Sequence, residues 1–277
     1  MKVVHPFFRR SVVAGAVLAL LASCALAETP QTPQTPQEPQ DPHTVQPERP
    51  TVATHAGTVA PGWVEIETGV ELDHLHTARA LTTPTTVKIG LARRLQLSLV
   101  ESFVRTSGNV PPRSGLGDAA LGIKWRLAED LPVLGDFAVL PSIKLPTGSA
   151  RRRTGTGTTD ADVLLISSHQ IGAASVDVNV GYLHRSGDGS DAPRNATLWT
   201  VSGGVPVAGA LGWAGEVYGL PATSGPSGQR SIVALLTGPT LQIRRWLAVD
   251  AGVIVPLAGP QPHAVYAGLV WNIGQLY

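Results

Sequence analysis

The stretch that decides the fold runs from residue 115 to residue 186, and it includes GLGDAALGIKWRL at 115–127 and ASVDVNVGYLHR at 174–185. Apolar residues take every second position from Leu121 to Leu127, and glycine, lysine and arginine stand between them. Successive side chains of a β-strand point to opposite faces, so such a strand has one apolar face and one polar face. The second segment repeats this alternation from Val176 to Tyr182. The stretch therefore predicts β-strands that each separate an apolar from a polar environment.

The composition favours a membrane β-protein. The chain has 277 residues, a net charge of +1 and only 15% charged residues, where about a quarter is usual in soluble proteins. A balanced charge does not favour nucleic acid as a partner. No stretch beyond the N-terminus has the roughly 18 apolar residues of a membrane helix. Low charge, 30 glycines and no spanning helix together fit an outer-membrane barrel.

The N-terminal region predicts export. Residues 1–27 have a basic start, a short apolar middle and a small-residue cleavage site at Ala25-Leu26-Ala27, as in a secretory signal peptide. We expect cleavage there, although Leu21-Ala22-Ser23-Cys24 also resembles a lipoprotein box with lipidation at Cys24. Residues 28–61 are rich in proline and glutamine, which predicts an extended periplasmic tether. The barrel itself is expected over residues 62–277.

The strand and loop pattern predicts an all-β fold, namely a transmembrane antiparallel β-barrel of about 12 strands. The predicted strands are close to the 9–11 residues that a tilted membrane-crossing strand needs. Short links alternate with longer polar loops, among them a predicted loop over 74–85. This sorting is typical of barrels with short periplasmic turns and an N-terminus in the periplasm. We therefore expect both termini in the periplasm.

Four local features interrupt the simple pattern. Pro141 within a predicted strand indicates a bulge or break, because proline cannot donate a ladder hydrogen bond. The apolar run Leu164 to Ile166 leaves the register of its strand open. Glu101 falls on an otherwise apolar face. Aromatic residues near strand ends predict interfacial belts, and these are Trp63, Tyr218, Trp246 and Tyr277.

Short motifs in the same stretch resemble an outer-membrane transporter family named for the meta-pathway of phenol degradation. They are Gly115-Leu116-Gly117-Asp118 with Gly122 to Leu127, Lys144-Leu145-Pro146-Thr147-Gly148, Gly155-Thr156-Gly157 with Thr159 and Asp160, and Gly181-Tyr182. The resemblance covers about a quarter of the chain. It implies an outer-membrane β-barrel that passes small hydrophobic or aromatic compounds, and it supplies no catalytic residue.

Two charged sets are predicted to face the inside of the barrel, since charges on a strand cannot face hydrocarbon. A pore with a selective field is one interpretation. A lumen closed by opposite charges that bridge across it is the other, and the sequence leaves both open. The acidic set is Glu65, Glu67, Glu71 and Asp73, and the basic set is Lys88, Lys124, Arg126 and Lys144.

Other candidate sites are weaker. Arg151, Arg152 and Arg153 lie in a predicted outer loop and could contact lipopolysaccharide phosphates or anionic solutes. His74 and His76 are too few for a metal site, and we expect no metal and no cofactor. A rim-sited lipid-modifying enzyme would need a serine and histidine together, for which Ser167, His169 and His184 are candidates. We expect no enzyme.

The sequence thus predicts a channel for passive passage of small, hydrophobic or aromatic molecules through the outer membrane of a Gram-negative-type bacterium. The alternatives are a non-conducting structural or adhesion barrel and the rim enzyme. The expected partners are outer-membrane lipid and lipopolysaccharide, a small-molecule solute, and the barrel-assembly machinery, which would bind the C-terminal strand. Nucleic acid is not expected.

Overall fold

A computed structural model of the chain describes residues 41–75, 78–108, 112–152, 154–189 and 192–277. The predicted signal peptide, Cys24 and the first part of the predicted tether lie outside the described residues. No helix in the described part of the chain is long and apolar enough to cross a membrane.

The strands form one antiparallel sheet that closes on itself, because β2 pairs with both β1 and β3. The short β4 and the longer β5 pair with successive parts of β3, so together they occupy a single strand position in the barrel wall. This confirms the predicted antiparallel barrel of twelve strands. The strands are β1 (Trp63–Leu75), β2 (Ala78–Ala92), β3 (Leu95–Gly108), β4 (Arg113–Leu116), β5 (Ala120–Leu131), β6 (Gly135–Lys144), β7 (Asp160–Ile171), β8 (Ala174–Arg185), β9 (Asn195–Ala208), β10 (Leu211–Leu220), β11 (Ile232–Arg244), β12 (Leu247–Ala258) and β13 (His263–Gln275).

The barrel has apolar side chains outside and polar side chains inside, the reverse of a water-soluble protein. Trp125 and Val180 are 54% and 53% exposed on the outer surface. The adjacent residues Lys124 and Asn179 point inward and are fully buried. A continuous apolar outer surface is stable against lipid and unfavourable against water.

The two ends of the barrel differ in their links. Five links of two or three residues, at 93–94, 132–134, 172–173, 209–210 and 245–246, lie at what we call the short-turn end. The opposite, loop end carries the longer links 145–159, 186–194 and 221–231. The predicted loop over 74–85 is wrong, because β2 begins at Ala78 and its β-branched threonines extend the strand.

Two prolines leave local gaps in the hydrogen-bonded ladders. Between β5 and β6, Gly122 pairs with Ser142 and Trp125 pairs with Val139, in the same register. The positions between these two pairs, which include Pro141, are not paired. The predicted break is therefore present without a bulge. The β1–β2 ladder has the same kind of gap opposite Pro84. Both gaps follow from the missing N–H of proline.

The remaining irregular positions have structural explanations. Leu164 and Ile166 point into the barrel and Leu165 points out, because the wall is apolar on both faces there. Glu101 lies beside the break between β4 and β5, where its carboxylate accepts the N–H of Ser102 at 2.8 Å. Tyr218 was wrongly predicted to belong to an interfacial belt, since it is buried inside the barrel.

The outer surface gives a direct test of lipid contact. Val180 lies near the middle of β8 and points outward. We expect Val180→Arg to destabilise the folded barrel in lipid vesicles by about 2–4 kcal/mol, because a charge would enter hydrocarbon. Reversible denaturant unfolding in vesicles measures this difference. Val180→Leu is the matched control and should stay close to wild type; equal stability of all three proteins would contradict the assignment of this face to lipid.

Candidate functional site

Residues 41–61, here called the luminal segment, lie inside the barrel near the short-turn end. Its first residues lie against the strand ends. There, the ring centroids of His43 and Trp63 are 4.8 Å apart, and His43 Nε2 lies 3.0 Å from the carbonyl oxygen of Asn272. Val45, Ala53, Ala56 and Val59 are buried. The described part of the expected tether is therefore packed against the barrel wall, unlike a solvated periplasmic linker.

Apart from one bridge between Pro61 and Gly90 at its end, the luminal segment pairs with no strand in the described structure, and polar side chains of the wall bind much of its backbone instead. Two carboxylates of β1 accept its first N–H groups, Glu65 from Gln46 at 2.7 Å and Glu67 from Glu48 at 2.8 Å. Further along, the carboxylate of Glu216 accepts the N–H groups of both Val52 and Ala53, at 2.6 and 2.7 Å.

The second half of the segment continues around the wall. The N–H of Thr54 donates to the side-chain oxygen of Asn179 on β8, and the N–H of Ala56 donates to the hydroxyl of Ser168 on β7. The N–H of Val59 donates to the side-chain oxygen of Gln96 on β3 at 2.9 Å. These wall residues come from strands spread around the barrel. The segment therefore bridges the lumen from one side to the other.

A buried charge cluster holds the segment most firmly. Lys88 on β2 lies 2.6 Å from Glu65 and 2.5 Å from Glu67, and its ammonium also donates to the carbonyl oxygen of Gln46 at 2.6 Å. Lys124 on β5 pairs with Glu48 of the luminal segment. Both lysine side chains are fully buried. Buried charges are tolerated when they are paired, and both lysines have carboxylate partners here.

Lys124 also fixes the path of the segment. Its ammonium donates to the carbonyl oxygens of His55 and Gly57 at 2.9 and 3.0 Å, in addition to the hydroxyl of Thr54 at 3.1 Å. Carbonyl groups turned towards one cation define a tight curve of the backbone. The lysine thus anchors three positions between residues 54 and 57, together with the carboxylate of Glu48.

Glycines in the wall make room for the segment. Arg49 pairs with Asp250 on β12 at 3.3 Å. Its guanidinium passes over the paired glycines Gly69 and Gly268, where an added Cβ would lie 2.7 and 2.4 Å from guanidinium atoms. A Cβ on Gly90 would lie 2.0 Å from the carbonyl oxygen of Ala60. Alanine at these positions would push the segment off the wall.

The surroundings of the luminal segment shift the pKa values of Glu48 and His55. Burial alone would raise the pKa of Glu48, but the ammonium groups of Lys124 and Lys88 outweigh it and hold that pKa far below its usual range. Burial, together with the ammonium of Lys124, lowers the pKa of His55 to about 3. At neutral pH the docked segment therefore carries an ionised Glu48 and a neutral His55.

The structure separates the eight charged residues predicted from the sequence. All of them point inward, but Glu65, Glu67, Lys88 and Lys124 are covered by the luminal segment. Arg126 pairs with Glu129 at the short-turn rim at 3.1 Å. Lys144 lies at the loop end, and Glu71 and Asp73 are half-buried on the inner face of β1 in its loop-end half. They form no single solute-facing set.

The motifs Gly-Leu-Gly-Asp and Leu-Pro-Thr-Gly meet at one carboxylate. Asp118 accepts the N–H of Gly148 at 3.0 Å and the N–H of Thr156 at 2.7 Å. It also lies 2.9 Å from the ammonium of Lys144, which lies 3.2 Å from Asp160. These hydrogen bonds fasten loop 145–159 to the link between β4 and β5 at the loop end. The motifs therefore have a structural role.

Further towards the loop end, parts of the inner wall are covered by apolar side chains. Inward side chains of β10 to β13 form one buried cluster, and Ile166 on β7 packs with Ala56 and Ala138 in another. A cavity of about 510 Å³ opens on the short-turn side of the luminal segment, next to Arg49 and Asp250. A second cavity of about 350 Å³ lies at the loop end. The buried residues Ala53, Asn179 and Glu216 lie between the two cavities.

The remaining candidates show no catalytic arrangement. Ser167 Oγ lies 3.0 Å from His169 Nε2, but it donates its proton to the carbonyl oxygen of Leu134 at 2.8 Å. The histidine must then donate to the serine, opposite to the direction that a general base needs. His184 lies at the other end of the wall, bonded to Asn195. In the described ranges, no group of three His, Cys, Asp or Glu side chains could hold a metal.

The predicted basic loop is only partly described. Arg151 and Arg152 are exposed in loop 145–159, at the loop end of the barrel. Arg153 lies outside the described residues. Contact of this loop with lipopolysaccharide phosphates stays a prediction.

Comparison with known proteins agrees with this architecture. Residues 48–259 match the family described as "Putative MetA-pathway of phenol degradation". The chain belongs to this family. The match begins within the luminal segment at Glu48, so the family region includes most of the segment as well as the barrel. No curated protein matches the chain at a significant level.

Solved structures show the same fold. The COG4313 outer membrane channel from Pseudomonas putida F1 is 13% identical, with a TM-score of 0.65, over 80% of this chain and 99% of that chain. The KdgM porin in complex with disordered oligogalacturonate is 10% identical, with a TM-score of 0.50, over 76% of this chain and 99% of that chain. The predicted resemblance to an outer-membrane barrel family is confirmed.

Removing one cation tests the anchoring of the segment. We expect Lys124→Met to leave Glu48 buried without its main partner and to release the segment, since breaking a buried ion pair costs about 3–5 kcal/mol. Hydrogen exchange of residues 45–60, measured by mass spectrometry, should lose most of its protection. Adding Glu48→Gln should restore part of it. Lys144→Met, the control at the loop end, should leave this exchange unchanged; full protection in Lys124→Met would show that the pair does not hold the segment.

The low pKa of His55 predicts a dependence on pH. A released His55 titrates near 6.5 and the docked one near 3, so protons bind preferentially to the released segment between these values. Docking is then strongest above about pH 6.5 and weakens as the pH falls. We expect a roughly thirtyfold weaker docking equilibrium at pH 5 than at pH 7.5. Hydrogen exchange corrected for intrinsic rates measures it, and His55→Asn should remove most of the change; an unchanged pH dependence in this variant would contradict the assignment to His55.

Proposed function

We propose that this protein is an outer-membrane channel for the passive passage of small hydrophobic or aromatic molecules, closed at rest by the luminal segment. The observation that carries the proposal is the division of the lumen. Its loop-end half contains a cavity with a largely apolar lining, and its short-turn half is crossed by a peptide that hydrogen bonds and ion pairs hold. A purely structural barrel needs no such cavity.

The orientation follows from the sorting of links. Outer-membrane barrels have short turns in the periplasm and longer loops outside. The short-turn end, with the start of the luminal segment and the C-terminus near Gly62, then faces the periplasm. A solute would reach the apolar half first from outside and would leave past the segment. On this pathway, the solute would pass Glu71 and Asp73, which would face it from the inner wall.

Membership of the family supports the same class of solute, because its description refers to phenol degradation. The fold is also that of the COG4313 outer membrane channel. The barrel surface would contact outer-membrane lipid, and lipopolysaccharide would meet Arg151 and Arg152 of loop 145–159. The barrel-assembly machinery would bind the last strand, β13, when the protein is inserted into the membrane.

A non-conducting barrel is the second candidate, favoured by one observation. The luminal segment places fully buried side chains across the lumen, and its backbone is satisfied at each side. A lumen closed in this way permanently would carry no solute. Its function would then lie in the outer loops.

Conductance and flux separate the two candidates. In planar bilayers, we expect wild type to conduct rarely and a variant lacking residues 43–60 to conduct continuously. In liposome-swelling assays, the deletion variant should pass a neutral monoaromatic faster than a sugar of similar size. Heat-modifiable migration on gels checks that the variant is folded. A folded deletion variant without conductance would favour the structural barrel and would contradict the channel.

A further inference from the structure

We propose that the loop-end cavity is a binding site for one neutral, apolar molecule of one or two aromatic rings. The inference rests on the proposed function only for the origin of the ligand, since binding needs no conduction. The cavity lies beneath loops 186–194 and 221–231 and has a volume of about 350 Å³. Its apolar lining comes from Leu164, Leu183, Leu198, Leu220, Pro221 and Ile232.

The inward leucines have no role towards lipid. On β7, Val163 and Leu165 point outward and cover the membrane-facing surface, whereas Leu164 points inward beside them. Leucine on the watery side of a barrel wall exposes apolar surface to water, which is unfavourable. Three neighbouring strands place an inward leucine there: Leu164 and Leu198 flank Gly181, and Leu183 lies two residues further along β8. This arrangement is stable when something apolar fills the space.

Gly181 forms the floor of the cavity. It pairs with Leu164 on one side and with Leu198 on the other. A Cβ at this position would lie 3.0 Å from Leu164 Cδ1 and 3.6 Å from Leu198 Cβ. The missing side chain therefore leaves room for a methyl group of Leu164 to lie against the wall at this point of the cavity. This gives a physical role to Gly181 in the motif Gly181-Tyr182.

The charges at the margin favour a neutral ligand. The guanidinium of Arg185 donates to the carbonyl oxygen of Pro193 at 2.8 Å and lies 3.5 Å from Asp160. The carboxylate of Asp162 accepts the hydroxyl of Ser142 at 2.6 Å. These two charged groups already have partners in the wall or loops, and the third charged residue of the lining, Arg230, is exposed to solvent. A charged ligand would have to displace them, and a neutral one would not.

The volume sets the size of the ligand. An apolar cavity of roughly 150 Å³ suffices for benzene, and pockets for larger ligands begin at about 300 Å³. A cavity of about 350 Å³ therefore fits one or two fused rings. Leu164 also packs against the cluster of Ile166 and Ala56, so the apolar surface continues from the cavity to the luminal segment.

Thiol protection tests the site. In a Cys24→Ala background, which has no other cysteine, Leu198→Cys places a thiol in the loop-end cavity and Ser175→Cys places one in the cavity at the short-turn end. With saturating naphthalene in detergent, we expect modification of the first thiol by a methanethiosulfonate reagent to slow at least tenfold. The second thiol should react at its normal rate, which controls for effects of the micelle.

A filled cavity and a charged probe complete the test. Ala196→Trp, or the smaller Gly181→Ala if the first does not fold, should abolish protection of the thiol at 198, and naphthoate should protect it less than naphthalene. Four outcomes would each overturn the proposal. The ligand could protect both thiols equally or protect neither of them. Protection could also persist in the filled variant, or naphthoate could protect the thiol more strongly than naphthalene. Because the readout needs no conduction, a non-conducting barrel would still show protection, so failure here and failure of the channel are distinguishable.

Discussion

Two buried ammonium groups determine much of this structure. Lys88 and Lys124 are fully buried inside a barrel whose outer surface is apolar, and neither can reach bulk water or lipid. Each therefore needs carboxylates and carbonyl oxygens close by. The wall supplies Glu65 and Glu67, and the luminal segment supplies Glu48 and its backbone carbonyl groups. The segment thus supplies the carboxylate that pairs with Lys124 and the carbonyl oxygens that accept its remaining hydrogen bonds.

The same constraint divides the lumen into two chemically different halves. Near the short-turn end, polar side chains bind a peptide backbone. Nearer the loop end, leucine, isoleucine and tyrosine side chains replace them around a cavity. A polar half that binds the chain's own peptide and an apolar half that is lined for a small molecule are consistent with one pathway that opens in steps.

The alternation of side chains predicted the barrel, the number of its strands and the inward direction of all eight charged residues. It could not predict the luminal segment, because a proline-rich, non-periodic stretch looks the same whether it is solvated or bound. The charges of Glu48 and Arg49 were the available signal, since a plain spacer needs neither. The doubtful register at Leu164 to Ile166 reflected an apolar lumen, which a rule of polar-inside strands does not anticipate. The pairing of Asp118 with loop 145–159 required tertiary contacts that no local pattern contains.

The reactivity of a thiol at position 53 tests most directly whether the luminal segment fills the barrel. Ala53 is 2% exposed, and its N–H donates to the carboxylate of Glu216 on the wall, whereas Val133 in a short turn is 82% exposed. In reconstituted protein treated from both sides with a small water-soluble methanethiosulfonate reagent, Ala53→Cys should react at least about a hundredfold more slowly than Val133→Cys. Equal rates for the two thiols would show that water reaches the segment freely, and the lumen would then not be closed as described.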